Sequence, residues 1–315
     1  MNYPSPLPTR LKALGDPTRL ALLDVLSRGT FNVSELLFAV DQGQSTVSRH
    51  LRILTDAGLL RSKKEGRQVY YRLGPPDPLV SACLDEFPEL RSEGLEARLT
   101  SIWQLRRERS RHFFDRAAHN LNGGEAAFLG SPDCVPALLD RLPRCTAIAD
   151  VGTGAGRLLV RLCDHAPHVI GVDASPGMLA QAAAGLPEAM EPNIEFRLGD
   201  LSHLPLANAE VDAAIAHMVL HHAPDPEVAL RELARVIRPG GTVLIGDFLP
   251  HDNEWMREEM ADQWLGFAEE DVYHWLESAQ FSDITFDRVE SDESQMATFV
   301  ATARQSHTSL STETG

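Results

Sequence analysis

The chain is poor in cysteine, has no long apolar run, and is short of positive charge overall. Its four cysteines, Cys83, Cys134, Cys145 and Cys163, never fall within four positions of one another. That spacing excludes a disulfide framework and the paired thiols of a structural zinc site, so reduced thiols are expected. No run of about 18 apolar residues exists to cross a bilayer. Met1 to Arg10 lacks the apolar core of a secretion signal. No membrane partner and a cytoplasmic location are therefore expected. Apolar residues make up 43% of 315, an ordinary globular share, and the length allows about two domains.

The shortage of positive charge is uneven. The net charge is -16, yet residues 1–75 carry 11 Lys/Arg against 6 Asp/Glu, a net +5, which leaves -21 on the remainder. A basic segment on an acidic body suits an anionic partner for the first segment only.

Start signals place the first helices. Asp16-Pro17-Thr18 offers an N-cap with proline at the first helical position, and the helix runs from Arg19 through Leu26 towards Gly29. Asn32-Val33-Ser34-Glu35 is a capping-box pattern opening a helix over Glu35 to Val40. After the turn Asp41-Gln42-Gly43, a third helix spans Gln44 to Ala57 and stops at Gly58. Two short helices around a tight glycine turn make a helix-turn-helix. In the last helix Val47, Leu51 and Leu54 share one face, which leaves Gln44, Ser45, Ser48, Arg49 and Arg52 to solvent, side chains suited to phosphates and base edges. Leu59 to Lys63 and Gln68 to Leu73 read as a hairpin, with Arg61, Lys63, Lys64 and Arg67 concentrating positive charge on it.

Four blocks make the pattern specific: Leu14-Gly15-Asp16-Pro17-Thr18-Arg19, Gln44-Ser45-Thr46-Val47-Ser48-Arg49-His50-Leu51, Ala57-Gly58-Leu59, and Glu65-Gly66-Arg67-Gln68-Val69-Tyr70-Tyr71. Residues 8–75 resemble the ArsR/SmtB family of winged-helix repressors. The resemblance implies a homodimer on an inverted repeat of double-stranded DNA. Its DNA contacts would come from Gln44, Ser45, Thr46, Ser48, Arg49, His50 and Arg52 of the helix and from Arg61, Lys63, Lys64 and Arg67 of the wing. The family's metal sensors carry a Cys-x-Cys pair before the turn, where this chain has Glu35-Leu36-Leu37-Phe38-Ala39-Val40. Their acidic and histidine ligands have no match in residues 76–100, so no metal is expected.

Residues 76–122 read as a helical connector and a candidate dimerisation segment. Leu95, Leu99, Ile102 and Leu105 fall on one stripe that packs either a dimer partner or the next domain, and the basic run from Arg106 to Arg111 is an extra phosphate contact or, as the favoured reading, a solvated face.

Residues 123–304 read as the second domain, and over 146–304 strand and helix signals alternate. Strands are expected over Thr146–Val151, His168–Asp173, Ile194–Leu198, Val211–Ala216, Thr242–Phe248, Phe281–Val289 and Met296–Ala303, with a helix from Arg157 to Cys163. The fold class is multidomain: a mostly helical winged helix-turn-helix, then a doubly wound α/β sheet. The polar tail, residues 305–315, is expected to be disordered. The glycine-rich turn Gly152-Thr153-Gly154-Ala155-Gly156 lets backbone approach a ligand at a helix N-terminus. Asp173, ending the next strand, suits two ribose hydroxyls. A dinucleotide site shares this logic, but its G-x-G-x-x-G fingerprint is broken here by Arg157 at the third glycine position.

The wider series is Asp150-Val151-Gly152-Thr153-Gly154-Ala155-Gly156, Val172-Asp173-Ala174-Ser175-Pro176-Gly177-Met178-Leu179, Gly199-Asp200-Leu201-Ser202-His203-Leu204-Pro205-Leu206, Leu220-His221-His222 and Arg235-Val236-Ile237-Arg238-Pro239-Gly240-Gly241. It resembles class I S-adenosylmethionine-dependent methyltransferases of the ubiquinone/menaquinone type. The resemblance implies S-adenosylmethionine or S-adenosylhomocysteine as the ligand. Gly152 and Gly154 would pass its methionine, Asp173 hold the ribose, and Asp200 with Leu201 frame the adenine. Asp150 would brace the loop, and His217 with Met218 lie near the sulfonium. Thr153, Gly156, Ala174 and Met178 complete the set.

Methyl transfer to oxygen or carbon also needs a base. His217, His221, His222 and Asp247 are candidates, and none is singled out. Cys134, Cys145 and Cys163 do not resemble the thiols that hold arsenic in arsenite methyltransferases. Trp255, Trp264, Phe267 and Trp275 either cap an acceptor pocket or pack a core. Two readings stand: a transcription regulator gated by the nucleotide, or a methyltransferase with an autoregulatory DNA-binding domain.

Overall fold

The computed structural model describes residues 6–65, 67–75, 77–86, 93–120, 134–253, 255–289 and 296–306. The chain divides into two compact units, Met1–Arg106 and Arg107–Gly315. The tail expected to be disordered lies, from 307 onwards, outside the described residues.

The first unit contains helices α1 (Leu7–Leu14), α2 (Pro17–Leu26), α3 (Val33–Val40), α4 (Gln44–Asp56) and α5 (Pro78–Glu86). Its strands are β1 (Phe31–Asn32), β2 (Leu60–Glu65) and β3 (Gln68–Leu73). The caps work as the side chains dictate. The Asp16 carboxylate accepts from the Arg19 amide at 3.1 Å. Asn32 and Glu35 satisfy each other's backbone amides at 3.0 and 2.9 Å, which starts α3 at Val33. Asp41 closes that helix in the left-handed region at φ 52°, a conformation acidic residues tolerate, and the turn delivers the chain into α4. β2 and β3 pair antiparallel as the wing. β1, which periodicity misses because two residues carry no alternation, pairs with β3 at Phe31 and Tyr71.

Helix α6 (Glu93–Asn120) contributes its first half to this unit and its second half to the next. Leu95, Leu99 and Ile102 are buried in the same core as Leu22, Leu36 and Leu51. Leu105 departs from the expected stripe and is 66% exposed. At about 100° per residue it has turned roughly 80° away from Leu95. Arg106 occupies the stripe instead, so this end of the basic run is not solvated. Its guanidinium donates to both Glu35 carboxylate oxygens at 2.7 and 2.6 Å and stacks over Phe31 and Trp103. Leu99→Ala is expected to destabilise this unit by about 2–5 kcal/mol through the cavity it leaves, read as a lower denaturation midpoint.

The second unit is a seven-stranded sheet. Its strands are β4 (Ala147–Val151), β5 (His168–Asp173), β6 (Ile194–Leu198), β7 (Val211–His217), β8 (Ile237–Phe248), β9 (Phe281–Val289) and β10 (Thr298–Gln305). The spatial order is β6-β5-β4-β7-β8-β10-β9. The first five strands are parallel, and β10 is antiparallel to both neighbours. Its helices are α7 (Cys134–Arg141), α8 (Leu159–Leu162), α9 (Pro176–Ala184), α10 (Pro226–Val236), α11 (Trp255–Glu259) and α12 (Glu269–Ser278).

The larger departures from the expected boundaries are at α8, β8 and β10. α8 keeps only its middle turn, because the positive φ of Gly154 and Gly156 holds the preceding backbone in a loop. β8 begins at Ile237 through an early pairing with Val211, and the register shifts before Thr242. β10 begins at Thr298, opposite Phe248. Among the aromatics proposed for a cap, Trp264, Phe267 and Trp275 are buried, while Trp255 is exposed. Core packing describes those three. Among the described residues no helix is long and apolar enough to cross a membrane.

Candidate nucleotide site and nucleic-acid interface

The chain runs from β4 outward to β5 and β6, then returns to β7 on the other side of β4. That reversal leaves a crevice beyond the carboxyl ends of β4 and β7, where open α/β sheets bind ligands. Gly152 leaves β4 and packs against Val219, just after β7. A Cβ there would stand 2.2 Å from Val219 Cγ2. The turn is anchored on β5: the amides of Gly152 and Thr153 both donate to the Val172 carbonyl, at 2.8 and 2.9 Å. Gly154 has φ +54°, and a Cβ on it would meet nothing within 4 Å. Backbone thus borders open space where the sequence places a ligand.

Asp150 is buried and accepts from the Thr153 hydroxyl at 2.7 Å. Burial pushes its carboxyl up to about 6, against the opposing pull of that hydrogen bond. Asp173 accepts from the Gly154 amide at 2.8 Å and from the Ser175 amide at 2.8 Å. Burial nevertheless raises its pKa above the usual carboxylate range, opposed by the amides of Ser175, Gly154 and Ala174. Met178 is buried on α9. Asp200 and Leu201 are half-buried beyond β6, and Asp200 accepts from the Ser202 amide at 2.7 Å. The Gly199 amide donates to the Asp173 carbonyl at 3.0 Å, which joins the Asp200 and Asp173 segments. His217 ends β7, half-buried. Gly156 packs against Ala182 of α9.

Sequence reasoning missed two participants. The Ser175 hydroxyl, which caps α9 at the Met178 amide, donates to Asp115 of α6 at 2.6 Å. Gly177 packs against Ala118 of the same helix. No motif marks Asp115, which lies in the stretch read as a connector.

The base candidates do not form one group. His221 Nδ1 lies 2.7 Å from Asp247 Oδ1, with both side chains buried. Burial disfavours the charged ring, but the carboxylates of Asp247 and Asp262 outweigh it and push His221 up to about 9. His222 is buried beside it and held well below its usual value by burial and the neighbouring charge.

On α4, Gln44, Ser45, Ser48, Arg49 and Arg52 are exposed and Thr46 is half-buried. Val47, Leu51 and Leu54 are fully buried beneath them. His50 is a correction. It is 4% exposed, and its Nδ1 sits 3.8 Å from Asp16 and 3.4 Å from the Arg19 guanidinium. Three residues beyond Val47, it falls on the packing face. In the wing Arg61, Lys64 and Arg67 are exposed and Lys63 is half-buried.

Comparison with known proteins matches each unit separately. Residues 16–62 fit the family model of bacterial regulatory proteins of the arsR family. The arsenical resistance operon repressor of Escherichia coli K12 is 42% identical over 94 residues, 29% of this chain and 80% of the repressor. The chain belongs to the arsR family. The arsR-type helix-turn-helix is fused to a second recognised part, since residues 149–245 fit a methyltransferase domain. The arsenite methyltransferase of Halobacterium salinarum is 38% identical over 103 residues, 32% of this chain and 26% of that enzyme. The chain spans about a quarter to a half of the methyltransferases it matches in sequence. A Haloferax volcanii putative methyltransferase, solved in complex with the Trm112 methyltransferase activator, overlays with a TM-score of 0.53 at 21% identity. The match covers 62% of this chain and 98% of that one, and it shows the Rossmann-like methyltransferase fold of the second unit.

Proposed function

We propose that this chain is a DNA-binding transcriptional regulator whose methyltransferase domain binds S-adenosylmethionine or S-adenosylhomocysteine as a regulatory ligand. It acts as a cytoplasmic homodimer on an inverted repeat of double-stranded DNA. Gly152 and Gly154 border the methionine, Asp173 takes the ribose hydroxyls, and Asp200 with Leu201 frames the adenine. The open face at Gly154 fits that group.

The observation that carries the regulatory reading is helix α6. Leu95, Leu99 and Ile102 on its first half belong to the core under the recognition helix. Asp115 and Ala118 on its second half hold the turn that follows the ribose acid. Ordering that turn around a nucleotide acts on a helix whose other half lies in the core of the DNA-binding unit. Coupling of this kind is typically 5–150-fold in affinity.

The test is a titration of full-length protein onto its own upstream DNA at fixed salt, alone, with S-adenosylmethionine and with S-adenosylhomocysteine. A shift with one nucleotide, reduced in Asp115→Ala at saturating nucleotide, is the expected result. Equal DNA affinity in all three titrations sinks the regulatory reading.

The second reading, a working methyltransferase with an autoregulatory DNA-binding domain, is favoured by the buried His221–Asp247 pair and the likeness to an arsenite methyltransferase. It requires consumption of S-adenosylmethionine when an acceptor is supplied. Arsenite is not the expected acceptor: Cys134 is fully buried, and Cys145 and Cys163 pack against the same apolar core.

A further inference from the structure

Beyond the turn after β7, three side chains converge that the nucleotide site does not use. His221 and His222 form a short 3-10 turn, and Asp262 follows α11, forty positions downstream. His222 Nδ1 lies 3.6 Å from Asp262 Oδ1 and His221 Nε2 lies 3.9 Å from it. One donor atom from each residue can be chosen so that no pair is more than 4.8 Å apart. Asp262 is 1% exposed, yet neither carboxylate oxygen has a hydrogen-bond partner. His222 Nδ1 has none either. Buried polar atoms of this kind are usually satisfied, and an isolated buried carboxylate is strongly disfavoured.

The segment carrying Asp262 is stitched in place. The Gln263 and Trp264 amides both donate to the His221 carbonyl, at 2.9 and 3.1 Å. The Gln263 side-chain amide donates to the His222 carbonyl at 2.7 Å, and the Trp264 indole to the Ala223 carbonyl at 2.8 Å. The second imidazole nitrogen of His221 is taken by Asp247, the outer carboxylate that orients a metal-bound histidine. Phe114 and Phe248 pack against the two rings.

We propose that His221 Nε2, His222 Nδ1 and a carboxylate oxygen of Asp262 bind one divalent transition-metal cation such as zinc. Two imidazoles, His221 releasing its Nε2 proton as the ion binds, and one carboxylate select such an ion over magnesium or calcium. Donors about 2.0–2.2 Å from a tetrahedral ion stand roughly 3.3–3.6 Å apart, so both contacts to Asp262 are within a few tenths of an ångström of the bound spacing. Three protein ligands leave the fourth position for water or an acceptor atom. The ion would compensate the Asp262 charge, to which Arg257 and His221 give electrostatic relief without a hydrogen bond. The inference is independent of whether the domain transfers methyl groups or senses a nucleotide.

Full-length protein stripped with a chelator and titrated with zinc against a competing indicator tests it. One tight equivalent is expected, unaffected by excess magnesium. Asp262→Asn and His222→Gln should each weaken that equivalent by about 100-fold or more. Asp247→Asn should weaken it by about 10–100-fold, as loss of an outer-shell partner does. X-ray absorption of the zinc-loaded wild type, which needs no variant to fold, should show two imidazoles and an oxygen. Sulfur in the first shell, affinity unchanged by Asp262→Asn, or no tight equivalent each overturns the proposal.

Discussion

Asp173→Ala is expected to weaken binding of S-adenosylhomocysteine by about 100-fold or more, because each hydrogen bond to a charged group contributes roughly 1.5–3 kcal/mol and two ribose hydroxyls are at stake. The same carboxylate also accepts from the amides of Gly154 and Ser175, so its loss loosens the glycine turn as well. Calorimetric titration reads the affinity directly. The effect on stability depends on pH. The folded pKa of Asp173 is raised by burial. An acid shifted in that direction detracts from stability once it ionises, and the penalty grows as pH rises from its unfolded value through its folded value. Asp173→Asn removes that penalty but keeps only one acceptor oxygen for the two amides, so its melting temperature should gain on the wild type as pH rises through that range while nucleotide affinity stays lowered. A variant that melts earlier and binds normally would remove Asp173 from the site and make it a structural acid.

The second large effect is expected on DNA. Arg49→Ala should cost about 1–3 kcal/mol against the cognate sequence and relax discrimination there, since an exposed arginine on the recognition helix reads base edges in the major groove. Lys64→Ala, on the wing, should weaken binding to all sequences alike and lower the salt slope by about 1, as loss of one phosphate contact does. Titrations at several salt concentrations on cognate and scrambled DNA separate the two. His50→Ala serves as the contrast. Buried against Asp16 and Arg19, it should lower the melting temperature in the absence of DNA. If Arg49→Ala and Lys64→Ala give identical, sequence-blind losses, α4 contacts backbone only.

Much of the proposed nucleotide site is readable from the chain because its parts are local. Asp150, Gly152, Thr153 and Gly154 sit in one turn. Asp173 lies where a strand must end before Pro176, and the capping acid Asp16 and the Asn32–Glu35 box announce their helices within three residues. The helix-turn-helix is legible for the same reason. His50 was misread because its motif block marks a family position, not a direction. Its direction follows from the packing of α4 on α2, which puts the ring beside Asp16 and Arg19.

Sequence by itself determined the two-part organisation, the alternation of strand and helix signals and the glycine turn, since these rest on caps, periodicity and backbone freedom over a few residues. Tertiary structure alone decided the rest. It brought Asp115 to Ser175 across 60 positions, Arg106 to Glu35 across 71, and Asp262 beside the two histidines. Those meetings depend on how sheet and helices pack. Burial then gives each charge its weight, by removing the water that would otherwise screen it.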